Sequence, residues 1–183
     1  YQEPPYYDDE TGEAVKKTGF VKSYGRWYYI EEDGKKAKGL KEIDGKLYFF
    51  SNNPMNRYET NEQVRGQLAR PYFYISFPNR AEDNPTYYFD AETGAAVTNQ
   101  FVYADGHWYY FGNDGKALLF DQVINGQHLY FDYEGKQVKG DSVTDYKGTR
   151  YYDENSGELV TNQTRTINGV TYHFDEIGRA KQL

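Results

Sequence analysis

Carboxylates and imidazoles are the side chains of this sequence that could do acid–base work or hold a metal, and their spacing argues against both. Asp33, Asp90, Asp114, Asp132, Asp153 and Asp175 recur at turn positions, where an Asx side chain accepts hydrogen bonds from nearby backbone N–H groups. A glycosidase needs two carboxylates facing each other across a cleft with separated pKa values, which one position repeated along a chain does not supply. His107, His128 and His173 fall at non-equivalent strand positions without H-E-x-x-H or similar spacing, so no metal site is expected. Asp8-Asp9-Glu10-Thr11-Gly12 and Asp90-Ala91-Glu92-Thr93-Gly94 echo part of a calcium loop. They lack its alternate ligands and closing Glu, and a bulged turn is the expected structure. No catalytic residues and no cofactor are expected.

The chain is rich instead in flat rings. Its 183 residues include 21 Tyr, 11 Phe and 2 Trp against only 24 Leu, Ile and Val together. Mean hydropathy is −0.96 and net charge −7, values that border on those of disordered chains. Tyrosine overturns that reading, because each ring buries a large apolar area while its hydroxyl stays wet. No apolar run approaches the roughly 18 residues of a membrane helix. A pI near 5.0 without a Lys/Arg cluster argues against nucleic acid and anionic membranes as partners. The absence of Cys excludes a disulfide framework and a thiolate site. The start at Tyr1 and the single internal Met55 point to a module excised from a larger protein.

Internal repetition sets the architecture. The unit is a strand, a Gly turn, a short aromatic strand and an Asp-x-x-Gly turn. It reads Tyr24-Gly25-Arg26-Trp27-Tyr28-Tyr29-Ile30 with Asp33-Gly34, then Asp105-Gly106-His107-Trp108-Tyr109-Tyr110-Phe111 with Asp114-Gly115. It returns as Asn125-Gly126 to Phe131 with Gly135, Lys147-Gly148 to Tyr152 with Gly157, and Asn168-Gly169 to Phe174 with Gly178. The second glycines at 12, 34, 94, 115, 135, 157 and 178 step by 22, 60, 21, 20, 22 and 21. The long step is three periods with two glycines missing, which makes residues 51–85 the irregular segment. There Asp44-Gly45 to Phe50 keeps the motif but runs into Pro54, and Pro71 to Phe77 and Thr86 to Phe89 read as two strands joined by a loop over 78–85. The departure from rhythm over 51–70, with Asn52, Asn53, Arg57, Arg65 and Arg70, is either a loop insertion or a modified binding site, and an insertion is the expected reading. The whole of 1–183 is expected to be a single repeat array of about seven hairpins.

Asn-Gly and Asp-Gly supply the positive φ that two-residue hairpin turns require, between strands rich in Tyr, Phe and Val. Such strands are about five residues long, and an isolated hairpin is marginal in water, so stability must come from stacking. In W-Y-Y-F, period two puts Trp108 and Tyr110 on one face and Tyr109 and Phe111 on the other. One face can seal neighbouring hairpins while the other stays partly open. No 3.6-residue apolar period persists. The expected fold is all-β, a β-solenoid of repeated hairpins with about 20–22 residues per unit.

The run G-x-W-Y-Y-F-x-x-D-G-K-A, best kept from Gly106 to Ala117, resembles the cell-wall-binding or "YG" repeats of Gram-positive surface proteins. Within that group the chain looks most like the glucan-binding region, domain V, of a secreted glucansucrase. That resemblance implies a non-catalytic carbohydrate-binding module that takes α-glucan in shallow pockets between hairpins, outside the cell or at the bacterial surface, and assists a catalytic domain of the same parent chain. It also implies a stacking Tyr joined by a Gln and a Lys of an adjoining hairpin. Gln137-Val138-Lys139 fits that pattern, with Tyr103 as platform and Trp108 or Tyr109 as wall. A second site is expected around Tyr24, Gln63 and Arg65. Lys36-Ala37-Lys38 and Arg179-Ala180-Lys181 lack the Gln and read as vestigial.

The chemistry agrees: a glucosyl ring presents an apolar patch of axial C–H groups and a rim of hydroxyls, which an aromatic platform and a few amide or ammonium groups would hold. Choline or teichoic-acid binding is the first alternative, but a quaternary ammonium wants a cage of several aromatics. Phe20 and Phe101 stand where that family usually has a cage Trp. A structural spacer with every ring buried and no ligand is the second.

Overall fold

The computed structural model describes residues 7–15, 17–51, 61–71 and 81–183, and residue 81 by its backbone only. Two compact units are formed, Tyr1–Asn99 with Asn113–Lys116, and Gln100–Gly112 with Ala117–Leu183.

The first unit contains β1 (Gly19–Ser23), β2 (Arg26–Ile30), β3 (Gly39–Ile43), β4 (Lys46–Phe50), β5 (Gln67–Ala69) and β6 (Tyr87–Phe89), with a 3-10 turn at Ala81–Asp83. The second contains β7 (Gln100–Ala104), β8 (His107–Phe111), β9 (Phe120–Ile124), β10 (Gln127–Phe131), β11 (Asp141–Asp145), β12 (Gly148–Tyr152), β13 (Gln163–Ile167), β14 (Val170–Phe174) and β15 (Ala180–Gln182). Every sheet is a single antiparallel hairpin except the last, in which β15 adds to β14. Among the described residues there are seven hairpins and no α-helix, as the repeats predict. The expected strand Pro71–Phe77 lies, from residue 72 on, outside the described residues. The partner of β6 is β5, which precedes it.

Turn chemistry explains the hairpins. Asp105 and Gly106 have φ of 50° and 79°, the double positive φ of a two-residue turn whose twist matches the strands it joins. Lys147-Gly148 departs from the expectation: β11 and β12 are joined by Tyr146-Lys147, with Asp145 opposite Gly148.

Alternation then decides what is buried. The third and fifth residues of the second strand point inward, as Tyr28 and Ile30, Tyr48 and Phe50, Tyr109 and Phe111, or Leu129 and Phe131. Within a unit, successive hairpins pack these side chains against the one before. Ile43, Tyr48 and Phe50 lie against Phe20 and Tyr29, and Ile124, Leu129 and Phe131 against Phe101 and Tyr110. Burying one such side chain contributes roughly 1.5–3 kcal/mol, so a hairpin too small to fold alone is held by its neighbour.

The segment after each hairpin ties the stack together. Gln63 and Gln137 bridge to Phe50 and Phe131. Their backbone N–H groups also donate to the carbonyls of Trp27 and Trp108, at 2.8 Å in each case. The N–H of Ala96 does the same to Leu47 at 2.8 Å and that of Leu159 to His128 at 2.9 Å. This ladder fixes which side chains of non-adjacent segments meet.

Candidate binding clefts

In the second unit, strand register sets Tyr103 of β7 opposite Trp108 of β8. Their ring centroids are 5.2 Å apart with a 56° tilt, and Phe101 meets the indole edge-on at 6.5 Å. The pair stays open to solvent, Tyr103 being 59% and Trp108 40% exposed. Residues 137–139 run alongside β8 because of the Gln137 to Trp108 backbone bond, which brings Lys139 Nζ to 5.6 Å from the indole centroid. Lys139 Nζ also donates to the Asn155 carbonyl at 3.2 Å. The Gln137 amide lies on Gly157, where a Cβ would collide with it.

The floor of this cleft is the 153–157 turn, held by Asp153. One of its carboxylate oxygens accepts the N–H groups of Asn155 at 2.8 Å and Ser156 at 2.9 Å, and the other meets Arg165 at 2.9 Å. The Ser156 N–H, Arg165 and the Asn155 N–H hold the Asp153 carboxyl well below the usual carboxylate range. Asp33, Asp90, Asp114, Asp132 and Asp175 accept backbone N–H groups in the same way. These carboxylates are committed to turns.

The first unit repeats the arrangement. The Arg65 guanidinium sits 4.6 Å from the centroid of the Trp27 ring, its Nε donates to Gln63 Oε1 at 2.7 Å, and a terminal nitrogen donates to the Glu92 carbonyl. Gln63 Nε2 donates to the Thr93 carbonyl at 3.2 Å, and its amide lies on Gly94. Burial pushes the Arg65 guanidinium pKa down. A cleft of about 440 Å³ opens here, lined by Trp27, Glu62, Gln63, Arg65 and neighbouring residues. A cation over an indole face contributes about 0.5–2 kcal/mol, so Arg65 and Lys139 are oriented by the rings before any ligand arrives.

The structure therefore brings Tyr103, Trp108, Gln137 and Lys139 together, and Gln63 with Arg65. Tyr109 is 3% exposed and stacks on Phe111 at 6.1 Å. It supports the ribbon, which leaves Trp108 as the ring at the surface. Tyr24, 73% exposed, meets Tyr7 edge-on at 6.4 Å and does not line the first-unit cleft. Trp27 takes that place, a residue that the repeat alignment equates with Trp108. The longer interval from Trp27 to Gln63 than from Trp108 to Gln137 hid the match. Elsewhere the frame persists without the groups: Leu47 with Ala96, and His128 with Leu159.

Stacked hairpins tied by a carbonyl ladder, with a Trp-centred site in each unit, define a β-solenoid repeat module. A family model described as a choline-binding repeat matches residues 122–163, and one described as a putative cell wall binding repeat matches residues 18–36 and 99–117. The fold is shared with the modular autolysin LytC of Streptococcus pneumoniae, at TM-score 0.70 and 16% identity over 99% of this chain and 37% of that one.

The chain is similar to part of the streptococcal glucosyltransferases. It is 36% identical to glucosyltransferase-I of Streptococcus downei over 93% of its own length and 10% of the relative. To glucosyltransferase-S of Streptococcus mutans serotype c it is 33% identical over 96% of its length and 11% of the relative. It thus spans about a tenth of these curated relatives.

Proposed function

We propose that residues 1–183 form one repeat array acting as a non-catalytic carbohydrate-binding module for α-glucan of the dextran type. The observation that carries this is the convergence of an exposed Trp–Tyr pair with an amide and a ring-oriented ammonium around Trp108. The Tyr103 and Trp108 rings offer a C–H-binding platform, while Gln137 and Lys139 offer hydrogen bonds to ring hydroxyls. Trp27, Gln63 and Arg65 form the second such site. A neutral ligand accounts for a chain of net charge −7 that binds without charge attraction.

A single shallow site of this kind is worth about −4 kcal/mol, or roughly 1 mM. Two or more engaged by one polymer gain about 10²- to 10⁴-fold. Such a module, at the bacterial surface or outside the cell, holds the polymer near a glucosyl-transferring domain of the same parent chain.

Affinity electrophoresis in gels with dextran or without polysaccharide tests the reading. Retardation by dextran that persists in 10 mM choline, a concentration set about tenfold above the single-site estimate, is the expected result. Release by choline, or no retardation, overturns it.

A further inference from the structure

One slot between successive hairpins is filled in three different ways in the second unit. It is built by the second residue of the first strand and the second and fourth residues of the second strand, facing the inner residues of the next hairpin. Between β7–β8 and β9–β10, Phe101, Trp108 and Tyr110 occupy it, and rings close it: Phe101 and Tyr110 lie 4.8 Å apart and pack on Ile124, Leu129 and Phe131. Between β9–β10 and β11–β12 the positions are Asp121, His128 and Tyr130, and charge closes it. The Arg150 guanidinium bonds Asp121 and Asp145 beneath the Tyr130 ring.

Between β11–β12 and β13–β14 the same positions carry Ser142, Thr149 and Tyr151. Neither a ring nor an ion pair replaces Phe101 and Trp108. The result is a cavity of about 220 Å³ whose walls include Tyr151, Ile167, Val170, Tyr172 and Phe174, and whose rim includes Asp141, Ser142, Thr149 and Asn168. Tyr172 is only half-buried here, whereas Tyr109 and Leu129 at the equivalent position are buried.

We propose that this cavity is a third carbohydrate subsite, taking one neutral pyranosyl ring, of a kind distinct from the Trp clefts. The proposal rests on the glucan-binding reading above. The size, below the roughly 300–1,000 Å³ of pockets for drug-sized ligands, suits a single ring. Two tyrosines and three aliphatic or phenyl groups meet the C–H face of a sugar. The Ser142 and Thr149 hydroxyls, the Asn168 amide and the Asp141 carboxylate match a hydroxyl rim in both donor and acceptor character. A quaternary ammonium has neither donor nor acceptor to offer these groups. Ser142 and Thr149 are small where Phe101 and Trp108 are large, so enlarging them should close the cavity.

The test is isomaltotriose titration of the full chain followed by NMR. At about 10 mM sugar, again near ten times the single-site estimate, the backbone amides of Ser142 and Asn168 are expected to shift. They should still shift in the Trp27→Ala/Trp108→Ala variant and should no longer respond in Ser142→Phe, while the Gln137 amide continues to. Thr149→Trp provides the same closure if Ser142→Phe misfolds. A shift at Gln137 without one at Ser142 and Asn168 overturns this subsite and leaves the module's function intact. No shift anywhere overturns both. A response of Ser142 and Asn168 to choline but not to isomaltotriose assigns the cavity to a cation and ends the proposal.

Discussion

The backbone N–H of Gln137 donates to the carbonyl of Trp108 at 2.8 Å, so the amide and the ring of the open cleft are positioned by one main-chain bond between segments 29 residues apart. The two side chains project from that bond at fixed register, and a ligand need not order the backbone to use them. Gln63 and Trp27 share the relationship at the same length. Preorganisation of this kind spares a weak shallow site the cost of loop ordering.

Neighbouring rings should separate stability from binding. Trp108→Ala is expected to abolish most dextran retardation while the protein stays folded, because the indole is partly in solvent. Tyr109→Ala removes a core ring and should cost about 3–5 kcal/mol. Thermal unfolding monitored by circular dichroism, paired with affinity gels, reads both. Equal binding loss in two equally stable variants would contradict the platform role of Trp108.

Gly157 supports the cleft from below. Its φ is 73°, and an added Cβ meets the Gln137 amide, so Gly157→Ala should cost about 1–2 kcal/mol in backbone strain and displace Gln137. Weakened dextran binding exceeding that of Gly169→Ala, a turn where nothing lies within 4 Å of the added Cβ, is the expected measurement.

Arg150 occupies a position that is Tyr109 or Leu129 in the preceding hairpins, and it is 4% exposed. Burial alone would raise the Asp121 carboxyl pKa, but the Arg150 guanidinium, with Lys147, outweighs it and holds Asp121 below the ordinary value. Arg150→Ala strands Asp121 and Asp145 and should cost about 1–3 kcal/mol, reduced from the buried-pair range because Asp121 is half in water. Arg150→Leu, which refills the space with the side chain used at 129 but leaves both carboxylates without their guanidinium, should recover only the packing part of that cost. Urea titrations of the two variants decide.

Acid should loosen the second unit first at its turns. Asp153 has a folded-state pKa below its unfolded value near 3.8, so its contribution is complete above that value and is lost as pH falls through the lower folded one. Stability below about pH 4 should therefore fall more steeply in the parent than in Asp153→Asn. The variant should also bind dextran more weakly at neutral pH, because the turn that accepts the Lys139 ammonium is loosened. Denaturation curves from pH 2 to 7 and neutral affinity gels provide the two readouts. A pH-independent difference between the proteins would contradict the role given to Asp153.

The hairpin architecture was legible in the sequence because its causes are local. Asn-Gly and Asp-Gly demand positive φ within two residues, and W-Y-Y-F alternates with a period that belongs to a strand. The Asp turns are equally local, since each carboxylate bonds N–H groups two to four residues ahead. The grouping of Gln137 and Lys139 with Tyr103 and Trp108 could be expected only by resemblance. The place of Trp27 and the open slot at Ser142 and Thr149 needed the stacked coordinates. Cross-hairpin register is set by the N–H to C=O ladder and by which ring fills which gap, and both depend on residues about 20–50 positions apart. Strand identity thus follows from neighbouring residues, whereas the surface or interior location of each ring was decided by packing between hairpins.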